Sequence, residues 1–328
     1  MFSMKSTKSL KLGLVGIVAT LVTLLLVVAF LPPLLRSLVE YDVCDSVTTS
    51  AQTRAWMIQE RETELRALMK GIATPTPHGP EFQNFSIFIG VFSTASKVER
   101  RNIIRLAYGI QHTNIANVSI RFVIGTPKGE EERLQLGLES LHYGDLLILD
   151  MEENMNKGKT WKYFSTVAIM GVHFDYVMKV DDDSYVRIHN LAASLAEQPR
   201  VDLYYGYVLP CENQNAYMNY IAGMGYILSW DLVQWIHESP IVRKRIGGYS
   251  EDRMTGDWLD AGNKALNRVN MKPMFYDHPA YKGRDRCSHE LNPETILIHQ
   301  LKSTALWLHV LRYFEGAHVT ALSTPLRP

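Results

Sequence analysis

The chain has 328 residues, 46% of them hydrophobic, with 34 basic and 34 acidic side chains and a net charge of zero. This length is enough for one sizeable domain with a substantial core. The balanced charge, without a basic run, excludes the electrostatic footprint of a nucleic-acid-binding protein, so no nucleic-acid partner is expected.

The N-terminal part of the chain is predicted to be a membrane anchor. Residues 12–35 contain no charged side chain, and about 20 apolar residues in a helix span a hydrocarbon core of about 30 Å. A cleaved signal peptide is the alternative, but its apolar region is usually only about 7–15 residues long. Three lysines precede the apolar stretch. The positive-inside rule therefore places residues 1–11 in the cytoplasm and the rest of the chain in a lumen or outside.

Residues 36–82 are predicted to form a stem and linker. Within them, residues 53–72 have a helical composition, which favours a single solvated helix, and self-association of this helix would give a homodimer. Cys44 is the residue that could bridge two such chains. The prolines and glycine of residues 73–80 interrupt regular structure. A globular domain is therefore expected over residues 83–328.

Short apolar runs alternate with helical segments in the first half of this domain. Strands are predicted at 85–92, 119–126, 145–150 and 176–180, and helices at 96–109, 130–140 and 158–173. This alternation favours an α/β domain with a Rossmann-like, mostly parallel sheet flanked by helices. Beyond residue 200 the pattern weakens, and the remaining predictions are a strand at 201–208, a strand or hairpin at 220–229, and helices at about 230–239 and 255–266.

Three acidic residues, Asp181, Asp182 and Asp183, directly follow the fourth predicted strand. In open α/β sheets, ligands bind beyond the carboxyl ends of the strands. Adjacent carboxylates repel one another and lose solvation unless a cation lies among them. Oxygen ligands suit Mg²⁺ or Mn²⁺, which commonly share carboxylates with substrate phosphates. A solvated acidic turn is the structural alternative.

Three further motifs carry groups suited to catalysis or binding, and each has a structural alternative. Arg101 and Arg105 are spaced i and i+4 and could hold a phosphate or form an ordinary basic helix face. Glu251 and Asp252 could supply a general base for a sugar hydroxyl or simply be first-turn acids of a helix. His299 ends an apolar run and is either a ligand or a satisfied core residue.

The cysteines and the glycosylation sequons are relevant to the cellular compartment of the globular domain. Cys211 and Cys287 could pair in an oxidising lumen or remain buried thiols. Asn84 and Asn117 begin N-x-S sequons, which a luminal domain could use.

The order of these motifs resembles the β-1,3-galactosyltransferase family, the inverting glycosyltransferases that include β-1,3-N-acetylglucosaminyltransferases and Fringe-like relatives. The similarity spans about residues 85–300. It departs from the family pattern at Ala107 and Tyr108, where the family has Thr and Trp. The similar stretches are residues 100–109 (RRNIIRLAYG), 122–125, 153–160, 179–186, 222–229, 251–256 and the pair Ile298-His299.

The resemblance implies a GT-A fold, a UDP-sugar donor and Mn²⁺ as the usual metal, with Mg²⁺ as an alternative. By the same resemblance, Asp183 and His299 are expected to ligate the metal. Asp252 is expected to be the base, with Glu251 as its support or its rival. The residues expected on the donor side are Arg101, Arg105, Lys159, Asp181, Asp182 and Gly223.

The expected function is transfer of galactose, or of N-acetylglucosamine, to a glycan hydroxyl of a glycoprotein or glycolipid, with inversion and a β-1,3 linkage. With the anchor, this predicts a single-pass type II Golgi membrane protein with a luminal catalytic domain. The main alternative is a catalytically silent luminal protein of the same fold that binds sugars or forms complexes. A metal-dependent phosphotransferase lacks support, because the sequence has neither a P-loop nor a kinase-type glycine loop.

Overall fold

The computed structural model describes residues 85–281 and 287–319. The predicted tail at 1–11, anchor at 12–35 and stem at 36–82 lie outside these ranges, as do Cys44 and Asn84. Within the two described ranges, no helix combines the length and apolar character needed to cross a membrane.

Within residues 85–281 and 287–319, ten strands form two sheets. They are β1 (Ser86–Phe92), β2 (Asn117–Thr126), β3 (Leu146–Glu152), β4 (Tyr176–Asp181), β5 (Tyr185–Val186), β6 (Leu203–Val208), β7 (Ile221–Ser229), β8 (Asn267–Asn270), β9 (Phe275–Asp277) and β10 (Leu297–His299). The seven-stranded sheet has the order β3-β2-β1-β4-β7-β6-β8, and the three-stranded sheet has the order β5-β10-β9.

Helices connect these strands. They are α1 (Val98–Gly109), α2 (Glu130–Tyr143), α3 (Thr160–Ala168), α4 (Ile188–Ala196), α5 (Trp230–Glu238), α6 (Pro240–Arg243), α7 (Glu251–Ala261) and α8 (Thr304–Val319).

The large sheet is mostly parallel, and the predicted fold class is confirmed to that extent. Strands β3, β2, β1 and β4 are parallel neighbours, and β8 is parallel to β6. Strand β7 runs antiparallel to both β4 and β6. The weaker pattern beyond residue 200 reflects this change of direction, because a simple alternation of strand and crossover helix ends there.

Alternate residues of β1 pack on opposite faces of the sheet. Ile87, Ile89 and Val91 belong to one hydrophobic cluster, while Phe88 and Phe92 belong to the other. Successive side chains of a strand point to opposite faces, and both faces of this strand are covered by helices or loops. This explains the nearly continuous apolar run in the sequence.

Two predicted helices begin elsewhere in the structure. The helix predicted at 158–173 begins instead at Thr160, after an irregular turn at Met155–Lys159. The cause is Gly158, whose φ of 93° is incompatible with a regular helix. The helix predicted at 255–266 begins at Glu251 and ends at Ala261, so the two acids belong to its first turn.

The three-stranded sheet brings the C-terminal part of the domain back to the acidic triplet. Strand β5 begins two residues after Asp183, and β10 pairs with it antiparallel through Leu297 and Ile298. His299, the last residue of β10, lies opposite Asp277 of the parallel strand β9. The topology therefore places His299 beside residues more than one hundred positions earlier in the chain.

Cys211 and Cys287 form a disulfide with a Cα–Cα distance of 5.1 Å, within the usual range. Pairing is thus the correct alternative for these two cysteines. Asn117 lies exposed at the first position of β2.

Candidate active site

Asp181, Asp183 and His299 form a compact group whose potential ligand atoms all lie within 4.8 Å of one another. The Nε2 atom of His299 lies 3.3 Å from Asp183 Oδ1 and 3.9 Å from Asp181 Oδ2. On the other side of the ring, Nδ1 and Asp277 Oδ1 are 2.6 Å apart. That contact orients the imidazole, and metal-bound histidines are held in the same way by a second carboxylate.

This group suits a divalent cation. Two carboxylate oxygens and one imidazole nitrogen are acceptable ligands for Mn²⁺, and carboxylates for Mg²⁺. Asp183 and His299 are buried, whereas Asp181 is partly exposed. The arrangement therefore has a fixed, buried side and an open side from which a further ligand can approach.

The protonation states of the group follow from its contacts. Burial alone would raise the pKa of Asp183, but hydrogen bonds to His299 and Lys302 outweigh burial and hold it well below its usual range. Burial would lower the pKa of His299, but its contacts with Asp183 and Asp277 raise it overall. Asp183 is thus an anion at neutral pH, as a metal ligand must be.

Each carboxylate of the triplet also has its own lysine. The pairs are Asp181 with Lys179 at 2.7 Å, Asp182 with Lys97 at 2.9 Å, and Asp183 with Lys302. The inference that only a bound cation could reconcile three adjacent acids is therefore corrected, because the protein supplies three ammonium groups itself. The case for a metal rests instead on the geometry of the three-residue group.

Lys179 connects this group to helix α7. Its fully buried Nζ donates to Asp181 Oδ1 at 2.7 Å, to the Gly223 carbonyl at 2.6 Å and to Glu251 Oε1 at 2.6 Å. Burial would lower the pKa of Lys179, but the carboxylates of Asp181 and Glu251 raise it above its ordinary value. The lysine is thus a permanent cation that ties the end of β4 to the start of α7.

Glu251 is buried and surrounded by donors. Besides Lys179, the Thr160 hydroxyl donates to its Oε2 at 2.9 Å and the Tyr226 hydroxyl at 3.2 Å. Burial raises the pKa of Glu251, against the opposing charge of Lys179. These contacts favour the supporting role for Glu251 over that of a rival base.

Asp252 is the half-buried member of the acidic pair. Its Oδ2 accepts a hydrogen bond from the backbone N–H of Gly223 at 2.9 Å, and it occupies the second position of α7. A helix N-terminus stabilises an anion at this position. Asp252 is therefore held in place yet partly accessible, as a general base must be, and its catalytic role stays a prediction.

Gly223 lies between the two acids of α7 and the buried lysine. A Cβ atom there would lie 2.7 Å from Glu251 Oε1, 3.3 Å from Lys179 Nζ and 3.4 Å from Asp252 Cβ. A side chain at this point would have to displace the Glu251 carboxylate, because the backbone approaches the ion pair so closely. Contact of Gly223 with a donor stays a prediction.

Arg101 and Arg105 form ion pairs with acidic residues outside the triplet. Arg101 is fully buried, with Nε and Nη2 each 2.7 Å from a carboxylate oxygen of Glu139. Arg105 contacts Glu139 Oε1 at 2.6 Å and Asp145 Oδ2 at 2.8 Å. These contacts favour the structural alternative for both arginines, and donor contact by either remains untested.

Lys159 is likewise buried. Its Nζ donates to the Ser93 carbonyl at 2.7 Å and to Glu153 at 2.6 Å. Burial lowers the pKa of Lys159, and Glu153 opposes that shift. Lys159 thus supports the loop after β1, the same loop from which Lys97 reaches Asp182.

Several residues of the site were missed by sequence reasoning. Lys97, Asp277 and Lys302 reach the triplet or its histidine from distant segments, and no local pattern marks them. Tyr108 replaces the tryptophan of the resembled family, and its hydroxyl donates to the Ser184 carbonyl at 3.2 Å. The substituted side chain therefore supports the turn that follows Asp183.

Comparisons with known proteins bear on the class of protein to which the chain is similar. A profile of the family described as galactosyltransferase matches residues 99–216. The chain is 25% identical over 289 residues to β-1,3-galactosyltransferase pvg3 of Schizosaccharomyces pombe, which covers 70% of this chain and 75% of that protein. It is 31% identical over 210 residues to β-1,3-galactosyltransferase 6 of Mus musculus, which covers 57% of this chain and 64% of that protein.

Among solved structures, the galactosyltransferase LgtC in complex with donor and acceptor sugar analogues aligns with a TM-score of 0.40 and 14% identity, over 74% of this chain and 97% of that one. The family profile and the two relatives define the chain as a glycosyltransferase. Residues 99–216 match the galactosyltransferase family, and the relatives of the chain include β-1,3-galactosyltransferases.

The contacts of Arg101 predict a structural effect of its replacement. Arg101→Met leaves the buried Glu139 short of its main partner, and breaking a buried ion pair costs about 3–5 kcal/mol in free energy of unfolding. Arg133→Met is the control, because its pair with Glu130 is exposed and such pairs contribute about 0–1 kcal/mol. Denaturant titration measures both. Unchanged stability with a large loss of UDP affinity would show instead that Arg101 contacts the donor.

The crowding at Gly223 predicts that Gly223→Ala displaces the Glu251–Lys179 pair. Overpacking of this kind costs about 1–3 kcal/mol in free energy of unfolding, and the rate of sugar transfer should fall with it. Gly137→Ala is the matched control, because Gly137 lies inside α2 with open space at its Cβ position. That change should be neutral or stabilise by up to about 1 kcal/mol. Equal stability and activity of both variants would contradict the close approach.

Proposed function

We propose that the chain transfers galactose from UDP-galactose to a glycan hydroxyl, with inversion and formation of a β-1,3 linkage. The observation that carries the proposal is the connection, through Lys179, of the group Asp181, Asp183 and His299 to the helix that bears Asp252. The names of the two relatives support galactose as the sugar. N-acetylglucosamine is the alternative, because the resembled family contains transferases for both.

On the donor side, Asp181, Asp183 and His299 would hold Mn²⁺ or Mg²⁺, and assignment of the domain to the GT-A fold is part of the same proposal. When bound, the metal would neutralise the charge that develops on the departing diphosphate. Asp181 is the partly exposed ligand, so the donor phosphates would approach from its side. Lys97, half-exposed beside Asp182, adds positive charge to the same region.

On the acceptor side, Asp252 would take the proton of the attacking hydroxyl. The Gly223 N–H holds one of its oxygens, and the Glu251–Lys179 pair fixes the helix on which it lies. A single attack on the anomeric carbon, from the side opposite the diphosphate, converts an α-linked donor into a β-linked product. Lys179 keeps the base and the donor ligands in one rigid frame.

The proposed setting is the Golgi membrane, with a single-pass type II anchor, a luminal catalytic domain and a glycan of a glycoprotein or glycolipid as acceptor. A homodimer through the stem belongs to the same proposal. The uncharged residues 12–35 support the anchor. The Cys211–Cys287 disulfide supports a lumen, because disulfides persist in oxidising compartments.

The proposed activity predicts Mn²⁺-dependent turnover of UDP-galactose. UDP release is measured with UDP-galactose, UDP-N-acetylglucosamine and UDP-glucose, each with Mn²⁺ and with excess chelator. UDP-galactose should react fastest, and chelator should abolish the reaction. Preference for UDP-N-acetylglucosamine would show that the transferred sugar is N-acetylglucosamine rather than galactose. No metal-dependent turnover of any donor would favour the catalytically silent alternative.

The two sides of the site should separate by mutation. Asp252→Asn should lower kcat by about 10²–10⁴-fold, the usual contribution of a general base, while the affinity for UDP with Mn²⁺ stays nearly unchanged. Asp183→Ala should instead weaken Mn²⁺-dependent UDP binding, measured by isothermal titration calorimetry. Asp260→Asn is the control on the same helix, because Asp260 is exposed, and its turnover should match the wild type. Equal losses of turnover and UDP binding in Asp252→Asn would show that Asp252 is structural.

A further inference from the structure

Lys302 contacts the carboxylate of Asp183, which is also a member of the candidate metal-binding group Asp181, Asp183 and His299. Its Nζ lies against Asp183 Oδ2, with 66% of the Lys302 side chain exposed against 8% of that of Asp183. The other oxygen of Asp183, Oδ1, lies 3.3 Å from His299 Nε2. A solvent-exposed lysine thus reaches a buried metal ligand from the open side of the site.

The backbone around Lys302 is fixed by contacts with distant residues. Gln300 adopts a φ of 68°, which is uncommon for a residue other than glycine. The Leu301 N–H donates to the Asp183 carbonyl at 2.9 Å. Arg100 donates to the carbonyls of both Leu301 and Lys302. The backbone from which Lys302 reaches Asp183 is therefore fixed by the fold, and the side chain is the part of the residue that can move.

A bound metal and the Lys302 ammonium would compete for the same negative charge, that of the Asp183 carboxylate. A divalent cation held by Asp181, Asp183 and His299 would repel a second positive charge on Asp183. The metal ligands are mostly buried, whereas Lys302 is largely exposed and has a flexible four-carbon stem. The lysine is thus the partner that moves.

Lys97 provides an internal comparison. It is also half-exposed and also pairs with an acid of the triplet, at 2.9 Å from Asp182. Asp182, however, is not a member of the three-residue group. The Lys97–Asp182 contact can therefore persist when a metal is bound, whereas the metal would disturb the Lys302–Asp183 contact.

We infer that Lys302 neutralises Asp183 before the metal binds and moves onto the diphosphate of the donor once the metal is in place. The inference rests on the proposed function, because it assigns Lys302 as a donor-binding residue of that same site. The phosphates that share the metal would be the nearest anions to the displaced ammonium, and lysine binds phosphate readily as a point charge. Lys302 would thus oppose metal binding to the empty protein and favour donor binding to the metal-loaded protein.

Two titrations of the full chain test this assignment. Mn²⁺ alone is titrated into the protein by isothermal titration calorimetry, and UDP is then titrated at saturating Mn²⁺. Lys302→Met should tighten binding of Mn²⁺ alone by about tenfold and weaken binding of UDP by about tenfold, the size expected for one charge-assisted contact. Lys302→Arg should restore UDP binding. A general loss of structure would weaken both ligands and cannot give shifts of opposite sign.

Two control variants remove one positive charge elsewhere. Lys97→Met should change the affinity for Mn²⁺ alone by less than about threefold, because Lys97 does not touch a metal ligand. Lys128→Met, on an exposed loop, should change neither titration. Equal effects of Lys302→Met and Lys97→Met on Mn²⁺ binding, or no effect of Lys302→Met, would overturn the assignment of Lys302 alone. Failure of the wild-type chain to bind Mn²⁺ or UDP would overturn the proposed function together with it.

Discussion

The buried ammonium group of Lys179 is the contact on which the rest of the site depends. It bonds to Asp181, to the Gly223 carbonyl and to Glu251, and it has no exposure to solvent. A buried charge is costly unless its partners stay in place, so the lysine and both carboxylates constrain one another. As a result, the end of β4, which carries the triplet, and the start of α7, which carries Asp252, keep a fixed relation.

The lysines also change how metal binding should be understood. Three carboxylates face three ammonium groups, one of which is shared with Glu251, so the negative charge of the triplet is already partly neutralised within the protein. A divalent cation would then bind by exchange with a lysine rather than by filling an uncompensated negative site. The affinity for the metal would depend on the difference in free energy between the carboxylate–metal contact and the carboxylate–lysine contact that it replaces. Binding of the donor phosphates could therefore shift the equilibrium towards the metal-bound state.

The sequence predicted long elements and contacts between neighbouring residues better than short elements and contacts between residues far apart in the chain. Strands β1 to β4 each contain a short apolar run, so they and the position of the triplet were predictable. Strands β9 and β10 have three residues each, too few for a periodic pattern. The contact of His299 with Asp277 was therefore beyond reach, and only the family resemblance favoured a functional role for His299 and Asp252 over their structural alternatives. The partners of Arg101 and Arg105 lie 34 to 40 positions along the chain, so spacing alone could not identify them.

The most direct test of the account is anomalous diffraction from crystals of the protein grown with Mn²⁺ and UDP. The account predicts one manganese peak within ligand distance of Asp181, Asp183 and His299, with the diphosphate on its open side and Asp252 facing the position of the sugar. A manganese peak at other residues, or UDP bound at this site without a metal, would contradict it.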